Sequence, residues 1–206
     1  MSNGTRLICF DLGGVVVETA RRWEAACAIA GVPMPPEWRD GFPWDRLTPI
    51  VDRFERGALT WAEYLRQCAE ALDHRHTPEE LGRIHEGWLL GEYEGMAEIV
   101  HRLNATPGIS SCCLSNTNRR HWEIMEGQPE RFLAFHALGR RWNSFELGLR
   151  KPEESIYRAL ERESGLAGSR ILFFDDRAEN VEAARPAVSS GPMSDGRRNE
   201  RIILLG

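Results

Sequence analysis

Asp11 stands at the end of the apolar run Leu7–Phe10 and is followed closely by Gly13 and Gly14. A carboxylate there is exposed at a turn whose backbone N–H groups can gather round an anion. An aspartate before glycines is also an ordinary turn former. A second apolar run, Ser111–Leu114, ends in Ser115-Asn116-Thr117-Asn118. Hydroxyl and amide groups at that point can hydrogen-bond phosphate oxygens, or can cap a following helix. Lys151 precedes Pro152, which keeps the lysine out of helical conformation and suits the first turn of a new helix. That fixes Lys151 at a helix entrance. A third run, Ile171–Phe174, ends in Asp175–Asp176. Adjacent carboxylates at the end of an apolar strand repel each other and are costly to desolvate. A divalent cation relieves both costs, and hard oxygen ligands beside a phosphate suit Mg²⁺.

These groups need elements to hold them. Leu7–Phe10, Ser111–Leu114 and Ile171–Phe174 read as short, continuously apolar strands of the kind a parallel sheet covered on both faces requires. A weaker strand is expected at Phe135–Leu138. Helical periodicity follows at Arg119–Met125, Glu153–Ser164 and Glu179–Ala184. Strands alternating with helices predict an α/β sheet with right-handed crossovers. In such sheets a ligand sits beyond the carboxyl ends of the strands, so Asp11, Ser115 and Asp175 point at one place.

Residues 18–91 read differently. No strand is expected there, and helices are expected at Arg21–Ala30, Trp61–Leu72 and Glu79–Leu90. Thr60 with Glu63, and Thr77 with Pro78 and Glu80, form helix-start signals. Five of the seven tryptophans fall in this segment: Trp23, Trp38, Trp44, Trp61 and Trp88. They are expected to fill the core of a small helical bundle, or, for one or two of them, to line a pocket facing the sheet.

Composition excludes several classes. With 26 Lys plus Arg against 31 Asp plus Glu, the net charge is −5. That balance disfavours nucleic acid as the main partner, because phosphate-backbone binding needs concentrated positive charge. No apolar stretch approaches the roughly 20 residues that span a bilayer. The first residues carry no charged-then-apolar leader, so a membrane partner and export are not expected. Five cysteines without CxxC spacing predict buried, reduced thiols and a cytoplasmic location.

The order strand–Asp, strand–Ser, Lys-Pro–helix, strand–Asp-Asp resembles the haloacid dehalogenase-like (HAD) hydrolase superfamily. FDLGGVVVE, CLSNTN, GLRKPEESIY and FFDDRAENVEAAR are similar to its four motifs. The resemblance implies a Rossmann-like, three-layer α/β/α core from residues 1–17 and 92–206, with a helical C1-type cap inserted at 18–91. Within the superfamily the chain is most similar to the phosphatases that include sugar-1-phosphatases and the N-terminal domain of soluble epoxide hydrolases. The expected activity is Mg²⁺-dependent hydrolysis of a small phosphorylated metabolite, a sugar phosphate being favoured. Asp11 would be the nucleophile and form an aspartyl-phosphate. Asp11, the Gly13 carbonyl, Asp175 and Asp176 would hold the metal. Ser115 and Lys151 would hold the phosphoryl oxygens, with Asn116 as a substrate contact and Asn180 as support.

Two departures stand out. Most phosphatases of the superfamily carry a second Asp two residues after the nucleophile, where this chain has Gly13. General acid catalysis, worth typically 10²–10⁴-fold, is then missing, unneeded for a good leaving group, or supplied by a residue such as Glu18, Asp45 or His121. The 2-haloacid dehalogenases also lack that Asp, but they are metal-independent and typically lack the paired carboxylates. A third possibility is an inactive binding module with the Trp-rich insert as its contact surface. The second departure is at the end. Pro186 is expected to stop the last helix at a cost of about 3 kcal/mol otherwise. The Gly/Ser/Pro segment that follows reads as a loop or tail, or as the product of a shifted reading frame, with Arg201–Leu205 a possible edge strand. The final residues are expected to add little to the core.

Overall fold

The computed structural model describes residues 6–189 and 202–204. In chain order the elements are β1 (Arg6–Phe10), β2 (Val17–Thr19), α1 (Trp23–Ala30), α2 (Trp44–Glu55), α3 (Trp61–Ala71) and α4 (Pro78–Glu86). There follow β3 (Leu89–Glu92), α5 (Met96–Ala105), β4 (Ile109–Ser115), α6 (Arg119–Gly127), α7 (Leu133–Ala137) and β5 (Arg140–Asn143). The last five are α8 (Ser144–Leu147), α9 (Glu154–Ser164), β6 (Ile171–Asp175), α10 (Ala178–Ser189) and β7 (Ile202–Leu204).

Five strands form one parallel sheet in the order β5-β4-β1-β6-β7. Successive side chains of a strand leave on opposite faces, and both faces here are apolar. Ile8 and Phe10 of β1 join Cys113 of β4 in a core with Val100 of α5, Trp122 of α6 and Phe135 of α7. Leu7, Cys9, Cys112, Leu114 and Phe173 face the other way, against Ile156, Tyr157 and Leu160 of α9. The three-layer α/β core expected from the sequence is therefore present. The four helices α1–α4 have a core of their own, with Cys27, Phe54, Tyr64, Cys68 and Ile84 buried together. Both expected capping boxes form, at Thr60/Glu63 and Thr77/Glu80.

Several expectations need correcting. The run at Phe135–Leu138 lies in helix α7 and its exit, not in a strand. Phe132, Phe135 and Leu138 bury together at helical spacing, and the Glu92 carboxylate accepts the N–H groups of Ala134 and Phe135 at 2.7 Å each. That distant side chain satisfies two of the helix's orphan donors. The strand is Arg140–Asn143, whose polar sequence fits an edge with one neighbour, β4. Residues 18–91 do contain strand: β2 pairs antiparallel with β3, so the helical insert enters and leaves through a two-stranded ribbon. Helix α4 correspondingly ends at Glu86 rather than Leu90.

Helix α2 was masked in the sequence by Pro49, which it carries in its interior. Burial of Leu47 and Phe54, at about 1.5–3 kcal/mol each, offsets the proline. Helix α10 likewise runs past Pro186 to Ser189. The proline falls in the last turn, where it forfeits one N–H bond. Residues 190–201, most of the segment read as a loop, tail or frame-shifted ending, lie outside the described residues. Beyond them Ile202–Leu204 pairs with Phe173–Asp175, so the end of the chain contributes the fifth strand.

Candidate active site

Strands β1, β4 and β6 are adjacent and parallel, so their C-terminal ends open on the same edge of the sheet. Asp11 follows β1 directly, and its N–H donates to the Phe174 carbonyl of β6 at 2.8 Å. The N–H of Leu12 donates to Asp11 Oδ1 at 2.7 Å. The chain then turns tightly, with the N–H groups of Val16 and Val17 both on the Leu12 carbonyl, at 2.9 and 2.7 Å. Gly14 makes this possible: its φ is +81°, and a Cβ there would stand 2.2 Å from Asp176 Oδ2. The loop after β1 thus lies directly against the carboxylate that follows β6. Gly13 is different, since a Cβ there would meet only Thr19 Cγ2, at 3.8 Å.

Lys151 enters from the loop before α9 and is 1 % exposed. Its Nζ lies 3.0 Å from Asp11 Oδ1 and 2.6 Å from Asp175 Oδ2. The Asn116 carboxamide fixes the lysine backbone, donating to the Lys151 carbonyl at 2.9 Å and accepting its N–H at 2.8 Å. Asn116 lines the cavity, yet both polar ends of its side chain are engaged by Lys151. Asp175 is held in turn: Oδ1 accepts from Arg177 N–H at 3.0 Å and from Asn180 Nδ2 at 2.9 Å. Ser115 ends β4, is buried, and lines the cavity. Asn118 caps α6, accepting the His121 N–H at 3.0 Å.

Burial pushes the Asp11 carboxyl up to about 6, against the pull of Lys151. Burial lowers the Lys151 ammonium, but Asp11 and Asp175 outweigh it and raise the group above its ordinary value. Asp176 is raised by partial burial and by the charge of Asp175. When all are ionised, three carboxylates against one ammonium leave two negative charges unbalanced. Oxygens of Asp11, Asp175 and Asp176 lie within 4.8 Å of one another. These three side chains would supply oxygen ligands of the kind Mg²⁺ takes. The charge deficit and the all-oxygen donor set fit a hard divalent cation.

The model of the haloacid dehalogenase-like hydrolases matches residues 5–187. The chain belongs to this family. Solved structures with the same fold include the HAD family enzyme BT-2542 from Bacteroides thetaiotaomicron, in complex with magnesium and inorganic phosphate. The two are 22 % identical over 90 % of this chain and 91 % of that one, with a TM-score of 0.72. A HAD-like family hydrolase from Porphyromonas gingivalis is 23 % identical over 90 % of this chain and 88 % of that one, with a TM-score of 0.70. A dehalogenase with an intermediate complex is 16 % identical over 99 % of this chain and 92 % of that one, with a TM-score of 0.61.

In this HAD-like hydrolase a cavity of about 620 Å³ is lined by Ser115, by Leu12, Gly13, Arg150 and Arg177, chain neighbours of the carboxylates and of Lys151, and by residues of the helical insert. Of the three candidate acids, Glu18 and Asp45 do not line it. His121 does, but burial pushes its imidazole down to about 4, and its Nε2–H donates to the His85 carbonyl at 2.8 Å. It is neutral and already committed. Cavity residues that the sequence did not single out include His85, Tyr64, Glu55, Arg150 and Arg177. Arg150 Nε donates to Glu55 Oε2 at 2.6 Å; its position beside Lys151 was a signal, but Glu55 belongs to the helix that Pro49 concealed. The five cysteines are free and buried. No helix among the described residues is long and apolar enough to cross a membrane.

Proposed function

We propose that the protein is a Mg²⁺-dependent phosphatase acting on a small phosphorylated metabolite through an aspartyl-phosphate on Asp11. The observation that carries this reading is the cluster of Asp11, Asp175 and Asp176 around a buried Lys151, two positive charges short of balance. Magnesium and phosphate in the BT-2542 structure support it.

Asp11, the Gly13 carbonyl, Asp175 and Asp176 would hold Mg²⁺. When bound, the ion supplies positive charge between the carboxylates and an incoming phosphate. Lys151 steadies Asp11 Oδ1 and presents its ammonium to phosphoryl oxygens, while the Ser115 hydroxyl donates to another. Asn116 acts through Lys151 by fixing its backbone, and Asn180 acts through Asp175. Asp11 attacks phosphorus, and water later hydrolyses the acyl phosphate. Catalysis is then positioning and electrostatics, the main part of phosphoryl transfer. Residues 18–91 serve as a cap that closes the cavity over the substrate.

The dehalogenase reading shares the missing second Asp, and a dehalogenase is among the similar folds. The three convergent carboxylates favour the phosphatase, because an uncompensated cluster of this kind is costly without a cation. Hydrolysis of p-nitrophenyl phosphate and acetyl phosphate, assayed with Mg²⁺ and with chelator, tests the proposal. Turnover that needs both Mg²⁺ and Asp11 is expected; none of either substrate in Mg²⁺, or release of halide from a 2-haloacid in chelator, would overturn it.

A further inference from the structure

Lys151 sits in the short loop between α8 and α9, and residues on both sides of it reach across to the helical insert. Arg150, immediately before it, donates from Nε to Glu55 Oε2 at 2.6 Å, and its Nη1 lies 3.8 Å from Asp52 Oδ1. Glu153, two positions after it, accepts from both Nη1 and Nη2 of Arg56, the first at 3.1 Å. Asp52 and Glu55 belong to the last turn of α2, and Arg56 ends it. Arg56 also donates from Nε to Asp52 Oδ2 at 3.0 Å. The charges therefore run in one alternating chain, Glu55–Arg150–Asp52–Arg56–Glu153, which bridges the two sides of Lys151-Pro152.

The spacing on α2 makes the bridge possible. Positions 52, 55 and 56 are three and four residues apart, so they share one face of the helix. Isolated surface pairs contribute little, whereas several charges in a network hold their geometry better. The Arg150 and Glu55 side chains are 24 % and 17 % exposed, so salt screens them less than a surface pair. Directly after α2 the chain presses on the core: Gly57 has φ +70°, and a Cβ there would stand 2.4 Å from the Phe145 carbonyl oxygen. The end of α2 is thus seated against α8 as well as against the Lys151 loop. From the core, Asn116 fixes the lysine backbone itself. The loop is gripped from two directions.

Taking the phosphatase reading as its basis, we infer that Asp52, Glu55 and Arg56 of the insert are positioning residues that hold Lys151 in place against Asp11. Asp52, Arg56 and Glu153 do not line the cavity, so they act through the lysine and not on substrate. Glu55 and Arg150 do line it, but they are bonded to each other. The Lys151 ammonium has to meet Asp11 and the phosphoryl oxygens together, and a misplacement of about 1 Å in such a group can cost about 10²-fold in rate. A second ion pair joining insert to core supplies the control. Glu86 Oε1 of α4 accepts from Nε and Nη2 of Arg120 in α6, at 2.9 and 2.6 Å, and neither residue belongs to the Lys151 loop.

The test is steady-state kinetics on p-nitrophenyl phosphate with Mg²⁺ saturating. Arg56→Gln and Glu55→Gln should each lower kcat by about tenfold while KM stays within about threefold of wild type, a loss on the scale of a misplaced reacting group. Glu86→Gln removes a partly exposed pair outside the loop and should leave kcat within about twofold of wild type. Thermal midpoints of the three variants, measured alongside, should lie close together, so that a fall in kcat reports position and not unfolding. Equal losses of kcat in all three variants, a change confined to KM, or wild-type kcat in Arg56→Gln would overturn the inference and leave the phosphatase reading intact. No turnover by the wild-type protein in Mg²⁺ would overturn both.

Discussion

Lys151 Nζ lies 2.6 Å from Asp175 Oδ2, with both side chains shut off from solvent. The same ammonium reaches Asp11, so one cation holds two buried carboxylates. Removing one partner of such a cluster costs about 3–5 kcal/mol, because it leaves charge uncompensated in a poorly polarisable surrounding. Lys151→Met keeps most of the volume and none of the charge. In chelator its thermal midpoint should fall well below the wild type's. Because ligand binding to the folded state alone stabilises it, added Mg²⁺ should restore more of the midpoint in the variant than it adds to the wild type. Thermal denaturation with and without Mg²⁺ reads both effects, and a variant as stable as wild type in chelator would speak against the charge accounting.

The two neighbouring glycines should behave differently. At Gly14 an added Cβ meets both an unfavourable φ of +81° and the Asp176 carboxylate at 2.2 Å. Gly14→Ala should therefore displace Asp176, cost about 1–3 kcal/mol of stability, and weaken Mg²⁺ binding measured by titration calorimetry. At Gly13 there is room. Gly13→Ala should fold with near wild-type stability, and Gly13→Asp, which places an acid beside the leaving oxygen, should raise turnover of alkyl phosphates by 10-fold or more on the general-acid scale of roughly 10²–10⁴. Equal damage from Ala at both positions would contradict the geometry.

His121 sets a pH dependence of stability. Its ring stacks on His85 at 4.1 Å, joining α6 to α4, with Arg120 bonded to Glu86 nearby. Burial lowers His121 to about 4 and His85 well below the ordinary 6.5. Below pH 6.5 the unfolded chain takes up protons that the folded chain refuses. The contribution is therefore whole above pH 6.5 and is lost as pH falls toward 4. At about 1.4 kcal/mol per pH unit, His121 alone accounts for roughly 3 kcal/mol over that window. Urea denaturation at several pH values should show this decline, and His121→Asn should flatten it. A variant whose stability falls as steeply as the wild type's would remove His121 from the explanation.

The site was legible in the sequence to the extent that its groups sit where an apolar run stops. Asp11, Ser115 and Asp175 each end a strand, and three adjacent strands bring such ends together without further instruction. What could not be read were bonds between residues far apart in the chain. Asn116 and Lys151 are 35 positions apart, and Glu92 and Ala134 are 42 apart. The first pair ties Asn116, expected as a substrate contact, to the backbone of Lys151. The second caps a helix that local composition presents as a strand. Pro49 concealed α2 for the opposite reason: a strong local signal was overridden by burial of Leu47 and Phe54. The insert's tryptophans divide between the two roles considered for them, since Trp23 is buried in the helical core while also walling the cavity.

Asp11 is the proposed phosphoryl acceptor, and its modification can be measured. The direct measurement is peptide mapping by mass spectrometry after p-nitrophenyl phosphate turnover in Mg²⁺ is stopped with acid. It should find a phosphoryl group on the peptide containing Asp11, located on that residue, and Asp11→Asn should show neither the adduct nor turnover. Turnover by Asp11→Asn at the wild-type rate, or a phosphoryl group on another residue, would contradict it.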